Sequence, residues 1–167
     1  MGVDCLKIEG RTKSHYYVTR TAQAYRQAID DACAGQDFDP RLLGVLENLA
    51  NRGYTDGFFQ RHHTHDNQNY LRGHSLSLQQ QFVGEINHYD TNTGKAEIIV
   101  KNKITVGDSI EVILPSGNHT LTVTQMENEK GESITEAPGS GYRVWIPINI
   151  ENTVNGLLAR NKPQAHE

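Results

Sequence analysis

The chain has 167 residues, a formal net charge of -4 and a sequence pI near 6.0. With 36% hydrophobic and 22% charged residues, it has the composition of a globular protein with one ordinary domain or two small ones. The charge argues against a dedicated nucleic-acid domain, which is usually basic, and no apolar run approaches the ~20 residues that span a membrane. Two cysteines exclude a disulfide framework, so we expect a cytoplasmic protein with no membrane partner.

Residues 1–51 are predicted to be the end of an α/β domain. Residues 3–9 form an apolar, β-branched run that predicts a buried strand, and a helix from about Ser14 to Ala34 follows at once. Ser14 is the expected N-cap, and Gly35 the expected stop. Because a strand followed by a helix is half of a βαβ unit, we interpret this region as the last βα unit of a truncated α/β barrel domain.

The long helix is predicted to bury an apolar stripe at helical spacing, made of Val18, Thr21 or Ala22, Tyr25, Ala28 or Ile29, and Ala32. Cys5 and Cys33 are expected to be small buried hydrophobes. Asp39 as cap and Pro40 at the first helical position begin a shorter, leucine-rich helix. Its apolar surface would pack against the rest of the α/β domain or, if left exposed, would let two copies form a homodimer.

Residues 52–79 are predicted to be a connecting loop, since they show no clear periodicity. A loop of this length usually has a function of its own. Aromatic and basic side chains alternate in it and suit RNA bases and phosphates, although they equally suit anchoring of the loop. The residues predicted to bind substrate here are Arg52, Tyr54, Phe58, His65, Asp66, Asn69 and Tyr70. Adjacent histidines seldom face one ion, so no metal site is predicted among them.

Residues 80–150 change to a period of two, which predicts a small antiparallel β-barrel. Five strands are expected at 82–86, 96–100, 109–114, 119–124 and 142–146, with a sixth short one near 133–136. Residues 151–167 are predicted to be a tail that docks through Val154, Leu157 and Leu158 and is mobile from Arg160 onward. The fold class predicted for the whole chain is therefore α+β.

The candidate active site lies where the first predicted strand ends. Active sites of α/β folds gather at the carboxyl ends of parallel strands, and Glu9 and Arg11 leave the strand there as candidate catalytic residues. Lys7 and Lys13 flank them as candidate substrate-binding residues. The planar fork of Arg11 suits a carboxylate or a phosphate. The alternative is that Glu9 and Arg11 pair with each other or with neighbouring strands as structure.

Several segments together carry a family resemblance: LKIEGRTKS (6–14), RGYTDGF (52–58), HTHDNQNY (63–70), FVGE (82–85), VKNK (100–103) and VGD (106–108). The chain resembles the collagenase-like peptidase family U-32, in particular its branch that makes 5-hydroxyuridine at the tRNA wobble position. The resemblance implies a C-terminal barrel similar to the second domain of elongation factors. It also implies tRNA as partner, prephenate as a co-substrate suited to Arg11, and an iron–sulfur cluster on four cysteines that precede Met1, with no cofactor in these residues.

Three functions stay open at this point. The leading hypothesis is the C-terminal part of a tRNA-modifying protein that contributes substrate docking and is inactive alone. The rival is a peptidase, as the family name implies, although no G-x-S-x-G or zinc signature is present. The third is a non-catalytic β-barrel module that binds RNA or another protein.

Overall fold

A computed structural model describes residues 4–49 and 80–161. The chain divides into two compact units, Met1–Leu78 and Gln79–Glu167, and its fold is α+β as predicted. The described part of the first unit is helical, and that of the second consists of antiparallel strands.

Helix α1 spans His15–Cys33, and both of its predicted ends are confirmed. The Ser14 hydroxyl accepts a hydrogen bond from the Tyr17 backbone N–H at 3.3 Å, which satisfies one free donor of the first turn. Gly35 adopts φ +70°, and its N–H donates to the Ala32 carbonyl at 3.1 Å. The N–H of the next residue reaches back five positions at 2.8 Å, which completes a Schellman motif.

The short helix α2 spans Arg41–Glu47. The Asp39 carboxylate accepts from the Arg41 backbone N–H at 2.9 Å and also pairs with the Arg41 guanidinium. The Asp39 carboxylate therefore satisfies a free N–H of the first turn, but Pro40 holds the N-cap position, one residue later than predicted. These hydrogen bonds lower the pKa of Asp39, first through the Arg41 side chain and then through its backbone N–H.

The predicted first strand and the predicted buried stripe were both wrong. Residues 4–10 are exposed or partly exposed and belong to no strand, because the described residues 4–49 offer no neighbouring strand for ladder hydrogen bonds. On α1 the buried side chains are Tyr16, Arg20, Thr21 and Ala24, so the buried face is rotated from the predicted one. Val18, Tyr25 and Ile29 are exposed. Cys5 and Cys33 are free and exposed rather than buried.

The described residues of the second unit, 80–161, form nine strands: β1 Gln80–Asp90, β2 Lys95–Val100, β3 Asn102–Thr105, β4 Ser109–Leu114, β5 Gly117–Thr122, β6 Glu127–Asn128, β7 Glu136–Gly139, β8 Arg143–Pro147 and β9 Leu157–Asn161. Seven of them form one sheet in the order β5-β4-β9-β1-β2-β8-β6, and β3 pairs with β7 in a second sheet. All of these pairings are antiparallel. The five strands expected from alternation are each present; β4 has the predicted ends, and the ends of the other four are shifted.

We call residues 80–161 the β-domain. Both of its sheets contribute side chains to a single apolar core. Alternate residues of β2, β4 and β8 point into it, as the period of two predicts. Ile104 of β3 and Ala137 of β7 join the same cluster, so the smaller sheet packs against the larger one. The core members with the largest fully buried side chains include Ile98, Met126, Ile146 and Leu158.

The last strand lies where a tail was predicted. Leu157–Asn161 pairs with β4 on one side and with β1 on the other, which makes β9 a central strand. Leu157 and Leu158 are buried, which agrees with the predicted docking, whereas Val154 is 48% exposed and does not dock as predicted. Arg160 was expected to be mobile, but its guanidinium is held by Asp108 and Gln81. Because its partners are distant in sequence, local patterns did not mark this strand.

Candidate functional site

The four candidate residues lie in the exposed segment before α1, which forms a turn at residues 10–13. The Lys13 backbone N–H donates to the Gly10 carbonyl at 3.0 Å and closes the turn. The Lys7 ammonium lies 3.5 Å from Glu9 Oε2, with side chains 86% and 71% exposed. The Lys13 ammonium stands over the Tyr17 ring, 5.1 Å from its centroid. Arg11 is exposed beside them.

This segment presents three cationic side chains to solvent close to the beginning of α1, and two of them, Arg11 and Lys13, lie on the turn. The structure brings Lys7 and Glu9 together as an ion pair, and at this exposure such a pair contributes little to stability. The cation–π contact of Lys13 with Tyr17 is likewise a surface interaction. The turn can attract an anion, but its groups are not held in the desolvated arrangement that acid–base catalysis usually requires. The catalytic roles of Glu9 and Arg11 stay predictions.

The predicted loop site falls outside the described residues. Arg52, Tyr54, Phe58, His65, Asp66, Asn69 and Tyr70 all lie in residues 50–79, between the two described ranges. Their substrate-binding roles therefore stay predictions based on the sequence. Within residues 4–49 and 80–161, no group of three or more His, Cys, Asp or Glu side chains could hold a metal ion. A four-cysteine cluster site cannot be formed by this chain alone, since the sequence has only two cysteines.

The VGD segment (106–108) has a structural role in the β-domain. Asp108 Oδ2 accepts from the Thr105 backbone N–H at 2.8 Å and lies 3.4 Å from Arg160 Nη1. Arg160 Nη2 in turn donates to Gln81 Oε1 at 2.7 Å. Asp108 thus closes a turn and ties β9 to β1 through Arg160. Sequence reasoning missed this role because Arg160 lies 52 positions from Asp108.

The FVGE segment is explained by a close backbone approach. A Cβ on Gly84 would lie 2.9 Å from the Ile99 carbonyl oxygen and 2.7 Å from a methyl group of Ile98. The register of β1 shifts between Phe82 and Gly84 and again between Ile86 and His88, so two bulges flank this position. Glycine is therefore needed where β1 passes closest to β2.

Most cations of the β-domain are already paired with carboxylates. The Lys95 ammonium lies 2.7 Å from both oxygens of Glu127. The remaining pairs are Lys101–Glu85 at 3.6 Å, Lys103–Glu136 at 2.7 Å, Arg143–Glu97 at 3.5 Å and Arg160–Asp108 at 3.4 Å. Residues 80–161 contain six lysines and arginines against ten aspartates and glutamates. This surface is therefore not built to neutralise a phosphate backbone.

Two aromatic side chains meet on the surface of the larger sheet. The rings of His88 and Trp145 lie edge to face, with centroids 6.1 Å apart and an interplanar angle of 84°. His88 is exposed and Trp145 partly exposed. We call this pair the aromatic corner. Sequence reasoning missed it because its members lie on β1 and β8 and meet across β2; the alternation of β8 was the only available signal.

Two family models match the chain. The model described as peptidase family U32 matches residues 1–69, and the model described as the peptidase family U32 C-terminal domain matches residues 78–160. The chain belongs to peptidase family U32, which confirms the resemblance seen in its sequence motifs. No described helix is long and apolar enough to cross a membrane.

Curated relatives carry two kinds of name. The chain is 55% identical over 162 residues to tRNA hydroxylation protein P of Escherichia coli, covering 96% of this chain and 36% of that protein. It is 50% identical to the protein of that name from Haemophilus influenzae, covering 96% and 35%. A protein named collagenase from Porphyromonas gingivalis is 28% identical, covering 88% and 41%. The chain thus spans about a third of the first two relatives' length.

A solved structure is similar to part of the chain. It is the C-terminal domain of a U32 peptidase from Geobacillus thermoleovorans, with a TM-score of 0.45 and 23% sequence identity. The match covers 47% of this chain and 96% of that domain.

Proposed function

We propose that this chain takes part in tRNA hydroxylation, as part of a protein that forms 5-hydroxyuridine at the wobble position and acts in the cytoplasm. The observation that carries the proposal is the 55% identity with tRNA hydroxylation protein P over 96% of the chain. The second such relative, at 50%, supports the same function. Relatives named collagenase are 28% identical, so the tRNA function is favoured.

Within that function, we assign phosphate contacts to residues 1–79 rather than to the β-domain. Nine lysines and arginines fall in this part, balanced by nine acidic residues, whereas residues 80–161 carry the acidic excess. Lys7, Arg11 and Lys13 are exposed basic residues of the segment before α1, which suits an anionic substrate. Arg11 in this proposal receives either a tRNA phosphate or the carboxylates of prephenate, and Glu9 orients Lys7 beside it.

The iron–sulfur chemistry is assigned to the portion of the longer relatives that this chain does not match. An iron–sulfur cluster in this family would supply electron transfer, and four thiolates are needed to hold it. This chain supplies at most Cys5 and Cys33, both exposed. We therefore propose that these residues bind and position tRNA and contribute no ligand set of their own.

A peptidase function has less physical support. Hydrolysis by serine or cysteine requires a nucleophile in contact with a base that is itself oriented by a third group. The Ser14 hydroxyl is occupied as the cap of α1.

A chimera tests the proposed function. The segment of the Escherichia coli relative that aligns with this chain is replaced by these residues and expressed in cells lacking that relative. We expect 5-hydroxyuridine to return to the tRNA, measured by mass spectrometry of digested nucleosides. An Arg11→Ala chimera should restore less, while Arg26→Ala should restore the full level, because Arg26 is an exposed arginine on α1 that pairs with Asp30.

Two outcomes would oppose the proposal. A folded chimera that leaves tRNA unmodified would show that these residues serve another activity of the family. A chimera that cleaves gelatin without modifying tRNA would favour the peptidase function. Equal restoration by the Arg11→Ala and Arg26→Ala chimeras would remove Arg11 from the site while leaving the tRNA function intact.

A further inference from the structure

A row of side chains crosses the outer face of the seven-stranded sheet. His88 on β1 lies opposite Glu97 on β2, and Glu97 lies opposite Trp145 on β8. The residues flanking Glu97 and Trp145 along their strands point into the core. Because side chains alternate between the faces of a strand, the row stands on the opposite, outward face.

The two ends of this row form the aromatic corner. The His88 and Trp145 rings are nearly perpendicular, at 84°, with 6.1 Å between centroids. A flat ring stacked on one of them directs its own edge at the face of the other, and both stacked and edge-to-face contacts are favourable. The corner therefore offers two complementary contacts to a planar heterocycle of the size of a nucleobase.

Polar groups lie beside the corner. Asn87, the extra residue at the second bulge of β1, donates through its side-chain amide to Glu97 Oε2. Glu97 also lies 3.5 Å from Arg143 Nη1. An amide, a carboxylate and a guanidinium thus border the rings, and these are the groups that recognise the polar edges of unstacked bases. Bulges often re-aim a side chain in this way at a functional surface.

The charges around the corner favour a neutral ring over a phosphate. Lys95, two positions from Glu97, is held by both oxygens of Glu127. Arg143 lies near Glu97 and Glu129. Since each flanking cation is matched by carboxylates, binding here should rest on stacking and should depend weakly on salt.

We infer that the aromatic corner stacks an unpaired base of the RNA substrate. The inference rests on the proposed function, which supplies the RNA, and it places the base contact on the β-domain while phosphate contacts lie in residues 1–79. Unpaired bases are the usual targets of aromatic side chains in RNA recognition. Trp145 provides the larger stacking surface, and His88 fixes the position of the base.

The chain contains a single tryptophan, so its intrinsic fluorescence reports on the corner alone. The 167-residue protein is titrated at low salt with bulk tRNA and with single-stranded decauridylate. Trp145 emission is followed against a free-tryptophan control for light absorption by RNA. Fluorescence anisotropy of fluorescein-labelled decauridylate measures binding independently in a parallel titration. We expect RNA to quench Trp145 with the same Kd that anisotropy gives.

Three variants and one control define the result. His88→Ala and Trp145→Ala should each weaken binding about tenfold, the size expected for loss of one stacked base, whereas Trp145→Phe should weaken it less. His119→Ala is the matched control, because His119 is an exposed histidine on β5 at the far edge of the sheet. It should bind as the parent does. Thermal unfolding of each variant shows that the fold is retained.

The inference would be overturned if anisotropy showed RNA binding that neither quenched Trp145 nor was weakened by His88→Ala. RNA would then bind elsewhere on the chain, and the proposed function would stand. Absence of binding at low salt would also overturn it, since the corner would then not hold RNA in this chain. The chimera assay decides the proposed function separately, because it measures tRNA modification rather than base contact. Quenching by a protein but not by RNA would assign the corner to protein docking.

Discussion

The two described regions bury their apolar side chains to very different degrees. Nineteen of the 22 buried apolar residues belong to residues 80–161, and three belong to residues 4–49. Seven of the nine exposed large apolar side chains belong to the helical region, Val18, Phe38 and Leu43 among them. The β-domain therefore has a core of its own, whereas the described helices present apolar groups that would be stabilised by burial against another surface.

A matched pair of leucine truncations gives the largest expected difference between the regions. Leu158→Ala removes a side chain that is 1% exposed in central strand β9 and should lower the free energy of unfolding by about 2–5 kcal/mol. Leu43→Ala removes one that is 51% exposed on α2 and should change it little, since alanine also favours helix. Urea denaturation followed by circular dichroism measures both. Similar losses would mean that the helical region is packed as tightly as the β-domain.

A pair of glycine substitutions should give opposite signs. Gly84→Ala places a methyl group against the backbone of Ile99 and should destabilise the β-domain by about 1–3 kcal/mol. Gly44→Ala meets no atom within 4 Å on α2 and should stabilise the helix by about 0.5–1 kcal/mol. Melting temperatures compared with the parent decide the signs. A tolerated Gly84→Ala would show that β1 can move away from β2 at low cost.

A pair of aspartate substitutions compares a long-range ion pair with a local one. Asp108→Ala breaks the contacts to Thr105 and Arg160 that join β9 to the sheet, and should cost about 1–3 kcal/mol. Asp30→Ala breaks an exposed pair with Arg26 one turn away on α1, which solvent screens, so the free energy of unfolding should stay nearly constant. Chemical denaturation measures both variants. Arg160→Met would then show whether the effect of Asp108 passes through Arg160.

The features that the sequence predicts are those that depend on neighbouring residues. The ends of α1 follow from Ser14 and Gly35 because capping depends on neighbouring residues, and the alternation of β2 depends on the strand alone. The place of β9, the Asp108–Arg160 pair and the aromatic corner each join positions that are far apart along the chain. Residues 4–10 show the converse. Their sequence has a strand-like pattern, but they form no strand, since residues 4–49 contain no neighbouring strand to pair with.

The smallest expected effect is a pH dependence that the two regions share. The pKa of Asp39 is lowered by Arg41, and the pKa of Asp90 is lowered first by the Thr93 hydroxyl and then by the Asn92 backbone N–H. A lowered folded-state pKa means that the carboxylate stabilises the fold above its unfolded value of 3.8 and loses this as pH falls through the folded value.

Asp39→Asn and Asp90→Asn should therefore be less stable than the parent near neutral pH. The difference in melting temperature should shrink as pH falls below 3.8, because the parent carboxylates then become protonated too. Thermal unfolding at neutral pH and near pH 3 measures the change. A difference that stayed constant with pH would mean that the carboxylates act through shape rather than charge.

The position of β9 has a consequence for synthesis on the ribosome. Strands β1 and β4 flank β9 in the sheet, and the Gln80 amide bonds to Asn161, 81 positions later. The larger sheet therefore cannot be completed until residue 161 has left the exit tunnel. Until then the edges of β1 and β4 that face β9 have no hydrogen-bonding partner, and such edges are prone to pair with other chains. A nonsense codon anywhere before position 157 would remove central strand β9 rather than an edge strand. The truncated products should therefore be degraded by proteases.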